Sequence, residues 1–217
     1  MARRIKHRSN GKKQTHPIKD KRKIQEVMRY LDRQIEFETR KGRETRLFQA
    51  RRNRMLVLLG FNTAFRAEDL LQLLVKEVID GRITIKENKT GKTQCFRLNK
   101  SIISEIRKYV EEQGLLPSDY MFPSQRSDGE IKCISRQQAD RVMKQIKDNC
   151  NIDFTFGMHS LRKTFGYQFY ANGGDIETLR MMYNHYDSGV TKVYIMWDRN
   201  DMEKAREEIV IGIRKGK

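Results

Sequence analysis

The chain has 217 residues, 37% of them hydrophobic and 34% charged, a size and balance that fit one substantial water-soluble domain plus a short appendage. Its 45 Lys and Arg against 28 Asp and Glu leave a formal charge of +17, which points to an acidic polymer or surface as partner, nucleic acid first. Cys95, Cys133 and Cys150 are odd in number and far apart, which argues against a disulfide framework or a zinc site, and the longest apolar run is too short to span a bilayer.

In chain order, residues 1–15 carry Arg3, Arg4, Lys6, Arg8, Lys12 and Lys13 with no acidic residue, which predicts a flexible basic arm able to contact phosphates. This N-terminus lacks the apolar core of a signal peptide, so a reducing cytoplasm is the expected compartment and no membrane association is expected. Pro17 marks entry to the folded part, and Ile24, Val27, Met28 and Leu31 recur at helical spacing. The charged stretch from Glu36 to Arg46 predicts a solvated helix end or loop. Between Met55 and Leu74 the pattern predicts two helices joined by a turn over Phe61 to Arg66, with Glu68 and Asp69 at the positive end of the second. Ile83 and Ile85, then Phe96 and Leu98, alternate with polar residues around Asn88-Lys89-Thr90-Gly91-Lys92, which predicts an antiparallel hairpin with a basic tip.

Helices follow. Ile102, Ile103, Ile106 and Val110 form a stripe that ends at Gly114, and Pro117 and Pro123 bracket a loop. Ser135 is placed to cap a helix through Val142 and Ile146. A helix is predicted from His159 to Tyr170, Asp175 is placed to cap the next one through Met182, and Gly189 is read as separating a short segment that carries Tyr194. The last element runs from Asp201 to Ile213. The expected class is mainly α with a small antiparallel β-sheet.

His159 and Arg162 lie three apart, so on a helix they project about 60° from one another on adjacent turns. His185 and Tyr194 follow, and Arg66 precedes them. A lone pair of this kind equally suits a capping histidine with a surface arginine. The ordered set is more specific. The segment Thr63-Ala64-Phe65-Arg66-Ala67-Glu68-Asp69-Leu70-Leu71-Gln72-Leu73 resembles the first arginine box of the tyrosine recombinases, the phage integrase family. Asn88-Lys89-Thr90-Gly91-Lys92 resembles that family's hairpin lysine motif, and His159-Ser160-Leu161-Arg162-Lys163-Thr164-Phe165 its second box. Met181-Met182-Tyr183-Asn184-His185, with Thr191 and Tyr194 beyond, resembles the segment that ends in the nucleophile. The resemblance covers roughly residues 17–200.

The sequence departs from the family pattern at four places. Ala64 stands where a glycine is usual, Phe65 where a leucine is, Asn184 where a glycine is, and Asp69 where a glutamate supports the site from behind. Asn tolerates the left-handed backbone conformation, so the turn at Asn184 is compatible with the motif.

The resemblance implies a strand-transfer site. Arg66 and Arg162 would clamp the non-bridging oxygens of one phosphate and stabilise the charge that builds there in the transition state. Tyr194, with an ordinary pKa of about 10, would be the nucleophile and His159 the base that takes its proton. His185 would bind the phosphate and share that duty, and Lys89 would protonate the departing 5′ oxygen. Lys92 and Lys163 would add DNA contacts. Lys86 and Lys92 compete with Lys89 for its role, and Tyr183 and Tyr186 with Tyr194. The implied activity is site-specific recombination through a 3′-phosphotyrosyl intermediate, which needs no cofactor and no metal. The implied partner is double-stranded DNA, bound by a tetramer that is a monomer without DNA, encoded by a bacterium or phage. A type IB topoisomerase-like enzyme, or a DNA-binding protein that keeps the fold without catalysis, are the alternatives.

Two expectations concern the ends. Only about 15 residues precede the resemblance, too few for a separate N-terminal core-binding domain, so residues 16–217 are expected to form the catalytic domain. Residues 199–217, apolar at Ile209, Val210, Ile211 and Ile213, are read as a tail that either exchanges between protomers or covers its own domain.

Overall fold

The computed structural model describes residues 14–89, 91–124, 132–207 and 209. After an extended entry segment over residues 14–20, helix α1 spans Lys21–Arg40 and α2 Glu44–Asn62, packed against each other as a hairpin. Asp20 caps α1 by accepting from the Arg22 N–H at 2.8 Å. The charged stretch is thus the end of α1, a tight turn through Gly42 at φ 60°, and the start of α2.

The two helices joined by a turn before Ala67 are present as expected, but the second does not reach Leu74. Helix α3 is only Ala67–Leu71, and a separate turn of helix, α4, spans Val75–Val78. Leu73 and Leu74 leave the helical path because their backbone is bonded elsewhere. The Leu73 carbonyl accepts from the Met121 N–H at 2.8 Å, and Leu74 bridges Tyr120. That pairing turns the proline-flanked loop into core, with Met121 and Phe122 fully buried.

Strands β1 (Arg82–Lys86) and β2 (Thr93–Arg97) form the expected antiparallel hairpin, in the register Ile83↔Phe96 and Lys86↔Thr93. Ile83 and Ile85 face the core, as their alternation predicts. Helix α5 (Lys100–Gln113) ends on Gly114 at φ 62°, and α6 (Arg136–Asn149) begins with a Ser135–Gln138 capping box. Then come α7 (Met158–Ala171), α8 (Ile176–Tyr183), α9 (Ser188–Ile195) and α10 (Arg199–Glu207).

Gly189 lies inside α9 rather than before it. The true boundary is Asp187, whose carboxylate accepts from the Val190 N–H. A Cβ at Gly189 would stand 2.8 Å from that carboxylate oxygen, so the glycine makes room for the cap. The basic residues Arg3 to Lys13, and Val210, Ile211 and Ile213, lie outside the described residues.

Two apolar clusters flank α7. The larger joins α1, α2, the hairpin, α5 and α6, and takes Met158 and Leu161 from α7. The smaller holds Ala64, Tyr167, Leu179, Tyr183 and Ile195. Helix α7 therefore sits between them, with its N-terminal turns open to a cleft. It approaches α2 so closely that a Cβ on Gly60 would lie 2.5 Å from Leu161 Cδ1. No helix among the described residues is long and apolar enough to cross a membrane.

Candidate active site

Five separate pieces of chain meet at one cleft of about 480 Å³. Arg66 comes from the N-terminus of α3, Lys89 from the hairpin tip, and His159 and Arg162 from the first turns of α7. His185 lies in the turn between α8 and α9, and Tyr194 near the end of α9. All six line this cleft, together with Glu68, Asn184, Tyr186 and Arg136.

The two arginines share an anchor. Arg162 is buried; its Nη1 donates to the Ala64 carbonyl and its Nη2 to the Tyr183 carbonyl at 3.1 Å. Arg66 Nη2 donates to the same Tyr183 oxygen at 3.3 Å. One carbonyl therefore sets the spacing of both guanidinium groups. The Arg162 guanidinium also lies 4.3 Å from the centre of the Tyr183 ring, whose hydroxyl donates to the Arg162 carbonyl. Two residues hold these carbonyls in unusual backbone conformations: Ala64 at φ 58° and Asn184 at φ 53°. Asn184 ends α8 in the left-handed conformation that its short polar side chain tolerates. Ala64 adopts that conformation where the family pattern has glycine, which is strain held at the site itself.

Arg66 has a further partner that sequence reading missed. Its Nη1 lies 2.6 Å from Glu87 Oε2, and Glu87 is almost completely buried at the base of the hairpin. Gln94 Nε2 donates to Glu87 Oε1 at 2.5 Å and to the Met182 carbonyl at 3.1 Å. Asp69 accepts from the Asn88 N–H at 2.9 Å, and Asn88 Nδ2 reaches Gln72 at 3.1 Å. The residues leading to Lys89 are thus tied to the helix that begins at Arg66. A signal for Glu87 existed, because it continues the inward alternation of Ile83 and Ile85. Arg136, at the first position of α6, had none, since only the tertiary fold brings it to His159.

Tyr194 is mostly buried, with its ring edge-on to Tyr183 at 5.4 Å and to His185 at 5.3 Å between centroids. Burial raises its pKa, while the charge and hydrogen bond of Arg162, and the charge of Arg66, pull it back. His185 Nδ1 lies 3.0 Å from Thr191 Oγ1. Burial first, then Arg162 and Arg66, push its pKa down to about 4. His159 stays open to solvent at the cleft mouth, and its pKa is also lowered, by desolvation and then by Arg136, Arg162 and Lys163. Both imidazoles are therefore neutral near pH 7, the state that can accept a proton.

Lys163 corrects an expectation. Instead of facing DNA it is buried, with Nζ donating to the Thr15 carbonyl at 2.7 Å and lying 5.1 Å from the Tyr194 ring centre. Thr15, read as part of the arm, is accordingly held against the domain. Lys92 and Lys89 are exposed on the hairpin.

Comparison with known proteins identifies the family in which this fold and this set of cleft residues occur together. The phage integrase family model matches residues 44–200, and the chain belongs to that family, the tyrosine recombinases. It is 33% identical over 190 residues to the probable integrase/recombinase YoeC of Bacillus subtilis, covering 87% of this chain and 93% of that protein. It is 25% identical over 158 residues to tyrosine recombinase XerA of Pyrococcus furiosus, covering 72% of this chain but only 54% of XerA. The chain thus spans nearly all of YoeC and about half of XerA. Among solved structures, XerA recombinase superposes with a TM-score of 0.68 at 15% identity, covering 96% of this chain and 66% of that one. The catalytic domain of bacteriophage HP1 integrase gives 0.55 at 18% identity, covering 90% and 95%. At such identities the structural matches establish the fold.

Proposed function

We propose that this chain cuts and rejoins DNA strands as the catalytic domain of a site-specific recombinase. The observation that carries the reading is the convergence of Arg66, Lys89, His159, Arg162, His185 and Tyr194 on one cleft, with the tyrosine beside a buried arginine. The charge of +17 supplies attraction for a polyanion. Relatives in the fold are described as bound to DNA, among them XerH recombinase on its difH substrate.

In this reading Tyr194 Oη attacks the scissile phosphorus. Its proton passes to the neutral His159, a phosphotyrosyl bond to the 3′ strand forms, and the bond to the 5′ oxygen breaks. Lys89 gives that oxygen its proton, so charge and atoms balance. Arg66 and Arg162 hold the non-bridging oxygens, and His185 donates to one of them. Bond energy is kept in the protein–DNA link, and attack by a 5′ hydroxyl reverses each step. Assembly as a homo-oligomer on DNA, a tetramer in the expected form, belongs to the same reading.

The test uses a randomised duplex library in which each molecule carries one nick, so that a cut strand diffuses away and the adduct is trapped. Wild type is expected to form a covalent protein–DNA adduct and Tyr194→Phe none. DNA retention by both proteins with no adduct from either would instead mark a binding protein that keeps the fold.

A further inference from the structure

Lys163 has no task in the mechanism above, yet its position is demanding. Its ammonium is almost wholly removed from water, and among the described residues its hydrogen-bond acceptor is a neutral carbonyl, that of Thr15, not a carboxylate. Burying a cation on a neutral partner is costly. The same ammonium lies against the Tyr194 ring at 5.1 Å from its centre.

We propose that Lys163 is a positioning residue for Tyr194, holding the ring in its attacking pose and favouring its ionised form, with the entry segment at Thr15 as its anchor. The proposal rests on the reading of Tyr194 as nucleophile. A cation beside a neutral aromatic ring gains a modest attraction to the π face. When the phenol loses its proton, that attraction becomes one between opposite full charges in a poorly solvated site. Among the described residues, the other charged or titratable groups around Tyr194 are Arg162 and, across the shared cleft, His159 from α7, Arg66 from the start of α3, and Tyr183 and His185 at the end of α8. Both arginines also bear on the tyrosine hydroxyl, but both donate to the Tyr183 carbonyl and, in the proposed reaction, hold the phosphate. Lys163 is the cation set against the ring without either of those duties.

The anchor is built into the domain. The Ile18 N–H donates to Thr164 Oγ1 at 2.8 Å, and Gln168 Nε2 to the Lys19 carbonyl at 2.8 Å, so the entry segment runs along α7 beside Lys163. Lys19 then pairs with Asp198 at 2.7 Å and Asp201 at 2.6 Å, just beyond the nucleophile. Residues 15–19 therefore tie α7 to the segment that follows α9, and Lys163 carries that anchoring to the Tyr194 ring.

Lys163→Met keeps the length and removes the charge; Lys163→Arg keeps the charge. In the nicked-duplex assay Lys163→Met is expected to slow adduct formation at neutral pH by about tenfold and to move the rise of the pH–rate profile to higher pH, with DNA retention unchanged. Lys163→Arg should recover part of the rate. Wild-type rate and profile in Lys163→Met would overturn the proposal. NMR of ring-labelled tyrosine in DNA-free protein at neutral pH decides the matter without any cleavage. The Tyr194 ring, assigned against Tyr194→Phe, should flip faster in Lys163→Met than in wild type and slow again in Lys163→Arg, and a wild-type flip rate in Lys163→Met would overturn the proposal. A wild-type protein that forms no adduct would defeat the strand-transfer reading and leave the ring-flip measurement to judge Lys163.

Discussion

Gly166 offers a direct test of how α9, the helix that carries Tyr194, is seated. It lies on α7, where the Tyr183 hydroxyl and Ile195 of α9 come down onto the helix backbone. A Cβ built there would stand within contact distance of Tyr183 Oη, 2.9 Å from Tyr183 Cζ and 2.8 Å from Ile195 Cγ2. Two effects oppose each other in Gly166→Ala. Alanine is better than glycine inside a helix by about 1 kcal/mol, whereas forcing a methyl into a filled core costs about 1–3 kcal/mol. Tyr183 and Ile195 are both fully buried, so neither can swing aside into solvent. With three contacts under 3.0 Å the cost lies in the upper half of that range, so after the helix gain the expected net loss is about 1–2 kcal/mol, read from urea unfolding. Tyr183→Phe removes the clashing oxygen together with its hydrogen bond to Arg162. In the Gly166→Ala background it should therefore cost less than it does alone, with a coupling of about 1 kcal/mol. A Gly166→Ala protein as stable as wild type, or strictly additive losses in the double variant, would refute this account of the α7–α9 contact.

Two further outcomes are expected. The pKa of His185 is depressed to about 4, so between its ordinary value of about 6.5 and that point the unfolded chain binds the proton and the native protein does not. Stability must then fall as pH drops through this window, and His185→Gln should make the decline between neutral and acidic urea midpoints shallower; equal slopes would contradict the assignment. Glu87→Ala removes a buried partner of Arg66 and should cost about 2–4 kcal/mol, with a loss of adduct formation beyond any change in DNA retention. Glu87→Gln, which keeps hydrogen-bonding capacity, should be the milder of the two, and equal losses from both would show that charge alone matters.

Local information settled a great deal in this chain. Ser135 and Asp175 are legible as caps because helical periodicity begins beside them, and both accept from the first turn of their helix; Ile83 and Ile85 can face the core only in a strand. The ordered motifs from Arg66 to Tyr194 named the residues that line the cleft, because side-chain chemistry and spacing are written in the chain itself. Misreadings came where distant backbone intervened. Leu73 and Leu74 carry a helical pattern but are bonded to residues 120 and 121. Gly189 resembles a breaker but makes room for a capping carboxylate.

Burial of charge was decided by the tertiary structure alone. The carboxylate of Glu87 is drawn inside by an arginine 21 positions earlier in the chain. The carbonyl of Tyr183 couples two arginines that the sequence keeps 96 positions apart. Lys163, read from its motif as one more basic contact for DNA, has its ammonium held by a carbonyl 148 residues away. A motif specifies which groups are available, but the field each one feels depends on which chain segments exclude water around it. That is determined only when the entry segment, α7 and α9 close on one another.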